Sequence, residues 1–312
     1  MTDAAAAARP NSTRATVLVP FAIITLIWGS TWIVIRDQLG SGAGGVPASW
    51  SVSYRFLVAG VALLAVAAWR GERLRLDRGG WTLAAMIGIF QFVCNFNFVY
   101  RAEAHITSGL VAVIFALLLV PNAVLARVFL GQRLGRQLLL GSAIAMAGVA
   151  LLFIQEARSD PNGPQKSLIG IALTLCAVLS ASCSNVLMAT DRAGRQPMVP
   201  MLGAAMLIGA AADAVFALAT VGPPVFDPRP AYVAGVVYLG LAASALAFVL
   251  YFRIIRVIGP AKAAYNSVIV PVIAMLLSTV FEGYRWSMLA GVGAALTLAG
   301  LVVALTARRP TR

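Results

Sequence analysis

Long apolar stretches alternate with short polar gaps along the whole of this 312-residue chain. The stretches lie at about 17–35, 48–69, 81–100, 105–130, 137–154, 167–190, 198–221, 231–252, 259–281 and 286–307. At 1.5 Å per residue, a helix needs about 20 apolar residues to cross a hydrocarbon core of roughly 30 Å. Nearly all of these stretches reach that length. The pattern predicts an all-α polytopic membrane protein with ten transmembrane helices. The composition agrees, with 60% hydrophobic and only 11% charged residues and a mean hydropathy of +0.88. A soluble domain of that make-up is excluded.

The basic residues orient the spans. With the N-terminus in the cytoplasm, the inner side collects seventeen of the 24 Lys and Arg. They fall at Arg9 and Arg14, in the clusters 70–78, 127–136, 192–195 and 253–262, and in the tail 308–312. Arg36, Arg101, Arg158, Lys166, Arg229 and Arg285 fall outside, and Arg55 lies within a span. Positively charged loops stay inside, so both termini are expected in the cytoplasm, and an even number of spans is implied.

The net charge of +13 therefore belongs to short loops at a membrane surface. Anionic lipid is the expected partner of these charges, and nucleic acid is not. Residues 1–16 are Ala-rich and polar without an apolar core, which reads as a disordered cytoplasmic tail rather than a cleaved signal. Cys94, Cys176 and Cys183 all fall within predicted spans, where they form neither a disulfide framework nor a metal-ligand spacing.

The chain also resembles itself. A shift of 150 residues aligns Pro121 with Pro271, Gly109 with Gly259, Gly141 with Gly291 and Gln132 with Glu282. It also aligns Phe98 with Phe248, Leu139 with Leu289, Ala145 with Ala295 and Leu151 with Leu301. The expected organisation is a tail at 1–16, a five-helix repeat at 17–154, an external linker at 155–166, a second repeat at 167–307 and a tail at 308–312. Five spans is an odd number, so the second repeat enters from the opposite face. Inverted repeats of this kind suit alternating access to a site near the bilayer midplane.

Three groups of residues carry a family resemblance. Trp28-Gly29-Ser30-Thr31-Trp32 in the first span is followed by Tyr54-Arg55-Phe56 in the second. Thr107-Ser108-Gly109 leads to Pro121 and to Leu130-Gly131-Gln132-Arg133-Leu134, and Gly259-Pro260-Ala261-Lys262 leads to Pro271 and Glu282. In order and spacing the chain resembles EamA-type proteins of the drug/metabolite transporter superfamily over residues 17–307. Gln132 departs from the family's Gly-Glu-Arg turn, whereas Glu282 keeps the acid. The resemblance implies a ten-helix, 5+5 carrier of small metabolites, typically an exporter in the bacterial inner membrane. Within the family the likeness is strongest to exporters of amino acids, aromatic ones included.

A carrier needs polar and aromatic groups on an internal cavity, because such groups are costly against lipid. Those nearest the midplane are Trp28, Thr31 and Trp32 in the first span, Gln91 and Asn95 in the third, and Ser180, Ser184 and Asn185 in the sixth. Ser244 in the eighth and Tyr265 and Asn266 in the ninth complete the candidate substrate site. Trp28 and Trp32, Gln91 and Asn95, and Ser180 and Ser184 are each four apart and share a helix face. Amides and hydroxyls would meet a zwitterion's ends, and the rings would wall its side chain. The competing reading is that Ser and Asn hydrogen-bond between helices and hold the bundle together. Trp50, Trp69, Trp81 and Trp286, near span ends, fit an interfacial belt.

Two ionisable residues, Arg55 and Asp213, stand well inside spans. A matched pair costs less to bury than two lone charges, so they are expected either to pair, to be solvated from an outer aqueous cavity, or to touch substrate. His105, the single histidine, reads as a boundary residue. Glu282 is expected to cap or pair locally, with Arg285 as partner. Pro121 and Pro271 break helical hydrogen bonds in the interior of their spans, either as hinges or as fixed kinks. Gly141, Ala145, Gly148, Gly293 and Gly300 allow close approach of spans five and ten, or of two chains in a homodimer as opposed to a monomer.

Other classes lack parts. HExxH and GxSxG motifs, a buried carboxylate pair and a pore ring are all missing, which argues against a membrane enzyme or a channel. No Walker loop is present, so no cofactor is expected and transport would draw on a gradient. Among carriers, a multidrug exporter or a nucleotide-sugar or sugar-phosphate exchanger is the alternative. The first lacks an early deep carboxylate, and the second lacks a cluster of central cations.

Overall fold

The computed structural model describes residues 10–39, 45–131, 135–159, 164–258, 260–263 and 266–305, and all regular structure among them is helical. The main helices are α1 (Pro10–Leu39), α2 (Ala48–Trp69), α3 (Arg78–Glu103), α4 (Ser108–Leu130) and α5 (Arg136–Ser159). They are followed by α6 (Pro164–Met188), α7 (Met198–Val221), α8 (Pro230–Val257), α9 (Asn266–Phe281) and α10 (Met288–Leu305). Among the described residues seven helices are long and apolar enough to cross a membrane, and α5, α9 and α10 carry shorter apolar helices. Two boundaries match expectation at both ends, α2 and α7. By contrast α1 is helical from Pro10, seven residues ahead of the expected start, with proline in the first position that its missing N–H tolerates. Gln132, Gly259 and Tyr265 lie outside the described residues.

The helices end where local chemistry stops them. Gly131 follows α4 at φ 67°, a left-handed turn that only glycine adopts freely. Asp77 caps α3 through a 2.6 Å bond from the Gly80 amide and takes a second bond from Gln196 at 3.0 Å. Those hydrogen bonds, the Gly80 amide first, hold its carboxyl below the usual carboxylate range. They also tie the α2–α3 and α6–α7 turns together at one end of the bundle. At the other end Trp50 Nε1 donates to Gly222 O at 3.2 Å and the Tyr54 hydroxyl to Val225 O at 2.9 Å. Trp50 is thus 4% exposed, contrary to its place in the expected belt, because its indole is needed to close α2 onto the α7–α8 loop. Trp69, Trp81 and Trp286 are exposed as the belt requires.

Exchange of α1–α5 with α6–α10 preserves the main helix pairings. α2 packs on its counterpart α7, α4 on α9 and α5 on α10. The α1–α9 contact is mirrored by α6–α4, α3–α6 by α8–α1, and α3–α7 by α8–α2. The correspondence reaches into backbone detail. Helix α3 is π-helical over Gly88–Asn95, and α8 is π-helical over Tyr238–Leu246, a start 150 residues later. In α4 a short 3-10 run at Ala116–Leu118 precedes Pro121 and includes Leu117, the carbonyl that Pro121 cannot bond.

The closest seam is α5 against α10. A Cβ on Gly148 would sit 2.4 Å from Thr297 N, and one on Gly300 would sit 2.3 Å from Ala145 N. Both obstacles are backbone, so the helices would have to separate. These small residues therefore pack the two helices within one chain. We expect Gly148→Ala to cost about 1–3 kcal/mol, the usual range for overpacking. Gly291→Ala, on the same seam helix but with nothing within 4 Å of its Cβ, is expected to be neutral or slightly stabilising. Thermal unfolding of the two variants in detergent, followed by size exclusion, checks the contrast.

Candidate functional site

Seven helices from both halves converge on one cavity of about 110 Å³. A water needs ~10–15 Å³ of such space, so there is room for a small organic molecule. Helix α1 contributes Trp28, Thr31, Trp32 and Ile35, and α2 contributes Arg55. Helix α3 supplies Gln91, Asn95, Phe96 and Val99, and α4 supplies Ala112, Phe115 and Leu118. The wall is completed by Ala181 and Asn185 of α6, Phe248 and Tyr251 of α8, and Val270 and Pro271 of α9.

The run at 28–32 divides its residues among different duties. Trp28, Thr31 and Trp32 line the cavity, and the buried Thr31 hydroxyl donates to Ile27 O at 2.8 Å. Gly29 lets α1 lie against Ile273 of α9, where a Cβ would come within 2.7 Å. The Ser30 hydroxyl meets the Tyr238 hydroxyl at 2.7 Å at the start of the π segment in α8. In the run at 54–56, Tyr54 stacks on Trp50 at the bundle end, Arg55 reaches the cavity and Phe56 packs on Phe92 and Phe96 at 4.7 and 4.9 Å.

The two π segments present the site's polar atoms. In α8 the segment offers Ala243 O to Trp28 Nε1 at 3.1 Å and Ser244 Oγ to Arg55 Nε at 2.8 Å. In α3 it carries Gln91 and Asn95 on one face. Gln91 Nε2 donates to Asn95 Oδ1 at 3.3 Å, and Asn95 Nδ2 donates to Ala177 O of α6 at 2.8 Å. Asn95 therefore also bridges helices, and the carbonyl oxygen of Gln91 is engaged by neither bond. Asn185 donates to Asn122 Oδ1 at 3.3 Å and shares a hydrogen bond with Tyr251. π-Helical turns recur at functional sites; here the α3 segment lines the cavity through Gln91 and Asn95, and the α8 segment stands behind the wall and holds Trp28 and Arg55.

Arg55 is 1% exposed. Its guanidinium carbon lies 4.3 Å from the Phe96 ring centre and 5.3 Å from that of Phe56. Such cation–π contacts stabilise a desolvated guanidinium. Asp213 does not pair with it. That carboxylate accepts from Asn97 Nδ2 at 2.6 Å and stands away from the cavity, because an amide on α3 is the nearer partner. Of the three options for these residues, pairing with each other is therefore not the one adopted; each makes its own polar contact.

The remaining candidates divide. Ser244 stands behind Arg55, Ser184 is buried off the cavity, and Ser180 only bonds back to Cys176 O at 2.9 Å. Of Asn266 only its place at the start of α9 is described. Pro271 lines the cavity and Pro121 does not. Phe96, Phe115, Phe248 and Tyr251 were missed. Phe248 packs on Trp28 at 5.3 Å and Phe92 at 5.4 Å, and Tyr251 on Trp28 at 4.9 Å. The signal for this box was present in Phe98/Phe248, one of the matches in the internal repeat, but apolar matches are weak markers in so apolar a chain.

One helical turn beyond the cavity lies an ionic cluster, also missed. Val99 lines the wall, and Glu103 comes one turn later on the same face of α3, fully buried with both carboxylate oxygens unpartnered. Arg36, next to the lining residue Ile35, donates to the Glu103 backbone carbonyl and lies 3.8 Å from Glu282 Oε1. Glu282 also accepts from Ser278 Oγ and, at 3.2 Å, from the Ser108 amide that opens α4. The partner of Glu282 is thus Arg36 rather than Arg285, and α1, α3, α4 and α9 are closed over that end of the cavity.

Comparison with known proteins places this architecture. The EamA-like transporter family matches residues 16–154 and again residues 168–306. The uncharacterized inner membrane transporter YedA of Escherichia coli K12 is 30% identical over 83% of this chain and 80% of its own. A probable terminal-alkyne amino-acid exporter of Streptantibioticus cattleyicolor is 28% identical over 90% of this chain and 91% of its own. A probable amino-acid metabolite efflux pump of E. coli K12 is 22% identical, covering 90% and 92%. Two family matches that together cover nearly all the helices, around a cavity built from both, leave one conclusion: the chain belongs to the EamA-like transporter family.

Proposed function

We propose that this chain exports neutral and aromatic amino acids across the bacterial inner membrane by alternating access to the central cavity. The observation that carries the reading is the cavity itself. It is of amino-acid size, walled by aromatic rings, supplied with amide and N–H groups, and lined from both halves of the chain. The names of two relatives, one an amino-acid exporter and one an amino-acid metabolite efflux pump, support the substrate class, and that of YedA supports the inner membrane.

The same proposal includes ten spans with both termini in the cytoplasm, as repeats at 17–154 and 167–307. Helices α5, α9 and α10 then span along with the seven longer ones. The turns joined by Asp77 lie inside, and the Arg36 cluster is the outer gate. Opening it separates Arg36 from Glu282 and Glu103, while Pro121 and Pro271 let α4 and α9 bend because each lacks one ladder hydrogen bond. The paired packing of the halves supports the exchange between inward and outward states.

Proteoliposomes holding the full chain are expected to take up radiolabelled phenylalanine in competition with other neutral amino acids. Trp28→Ala and Gln91→Ala each lower that flux about tenfold, the equivalent of ~1.4 kcal/mol, while Ser180→Ala does not. Normal flux in both cavity variants would move the route elsewhere. On a background without the three native cysteines, Asp227→Cys is labelled by an impermeant maleimide in intact cells, and Arg75→Cys only after permeabilisation. The reverse pattern would invert the topology. Arg36→Gln shifts the population outward-open, so that Ile35→Cys reacts several-fold faster with an external thiol reagent than it does with Arg36 intact.

A further inference from the structure

Two hydrogen-bond donors on the cavity wall have nothing to donate to. Arg55 keeps Nη1 buried without a partner while its Nε is held by Ser244. Trp32, 9% exposed, keeps its indole Nε1 buried and unpartnered as well. Both side chains line the same cavity, from α2 and from α1. A guanidinium and an indole N–H donate only and can accept nothing. Whatever satisfies them together has to be an acceptor, and beside a full positive charge the favoured acceptor is an anion.

The protein does not supply that anion. Among the described residues no Asp or Glu lines the cavity. No ion pair among them involves Arg55; the Tyr100 hydroxyl, a neutral acceptor, is in hydrogen-bond contact with its guanidinium, and the field of Glu103 reaches it from one turn away. Asp213 is held by Asn97. The faces of Phe96 and Phe56 hold the guanidinium without using its N–H groups. A single cation matches a single negative charge, whereas a phosphate dianion would leave excess charge in an apolar site. The opposite requirement is also missing. An ammonium group would find no carboxylate on the described wall, only amide oxygens such as that of Gln91 and ring faces.

We infer that Arg55 and Trp32 form a carboxylate subsite, and that the species carried are small monocarboxylates with an apolar or aromatic body, for which an amino group is dispensable. This rests on the carrier reading above and sharpens it. Amino acids are accepted for their carboxylate, their deaminated counterparts are accepted too, and the corresponding amines are not. Arg55 fixes charge, and Trp32 adds a second donor that also rejects bodies too large to sit beside its ring and that of Phe115, 5.4 Å away.

The test measures binding and flux separately on the purified full-length chain. Binding of 3-phenylpropionate, phenylalanine and phenethylamine is followed by thermal shift in detergent, and the same three compete for labelled phenylalanine uptake in proteoliposomes. We expect 3-phenylpropionate to bind within about threefold of phenylalanine, and phenethylamine at least about tenfold more weakly, the discrimination expected of a charge-assisted pair. Trp32→Phe, which keeps the ring and removes the N–H, is expected to weaken both carboxylates about fivefold or more and to leave phenethylamine unchanged. Arg55→Gln is expected to abolish the preference for carboxylates, and should it fail to fold, Trp32→Phe decides alone. Equal binding of phenethylamine and phenylalanine, or unchanged carboxylate affinity in Trp32→Phe, would overturn the subsite and leave amino-acid transport standing. Carboxylate binding that depends on Trp32, without flux of any of the three in folded protein, would keep the subsite and overturn the carrier reading.

Discussion

Hydrocarbon offers a polar group nothing to bond with, and the structure is a response to that constraint. Backbone amides must be satisfied within their own segment, which leaves helices as the form in which this chain can span. Polar side chains are driven to the interior, where they must find one another. Asn95 reaches Ala177 O, Asn97 reaches Asp213, and Ser244 receives Arg55. Each of these bonds joins different helices, so the same requirement that buries them also fixes the bundle.

Two of the buried donors that the bundle leaves unsatisfied, Arg55 Nη1 and Trp32 Nε1, belong to the cavity wall. The wall is mostly rings and aliphatic groups, and its strongest polar feature is a guanidinium braced by Ser244 and by two phenylalanine faces. Bracing of this kind lowers the reorganisation a ligand must drive, since the charged group already holds its position. The closed ionic cluster around Arg36 lies one turn away. Charge at that end and charge in the cavity are therefore close neighbours, and a change in one is felt by the other.

Much of the fold was legible in the sequence because hydropathy has one strong cause. Apolar length located the helices, and α2 and α7 were placed to the residue. The cavity was legible in part. Trp28, Trp32, Gln91 and Asn185 were found because amides and tryptophans deep in a span are costly unless they have an inward duty. Phe96, Phe248 and Tyr251 were not, because an aromatic residue in an apolar stretch looks the same whether it faces lipid, core or cavity. Arg55 and Asp213 were recognised as special but mistakenly expected to include a pair among their options, since depth along a helix says nothing of rotation about it. Glu103 escaped because it sits at a span end, where a charged residue ordinarily meets water. Here α1, α4 and α9 cover it. Trp50 misled for the same reason in reverse.

The π segments at Gly88–Asn95 and Tyr238–Leu246 were invisible to any periodicity argument, and they have a consequence for ancestry. A π turn is an α-helix that has accepted an extra residue, and each added residue rotates the remainder of the helix by roughly 100°. Two such turns at matching positions, one lining the cavity and the other bracing residues that line it, are most economically explained by one insertion that occurred before the gene was doubled. On that account the ancestral half-length protein already carried the distorted helix. Such a protein would have completed its cavity only by meeting a second copy of itself. Fusion of the two copies then let the walls diverge, so that one π turn kept its amides and the other came to hold a serine behind an arginine.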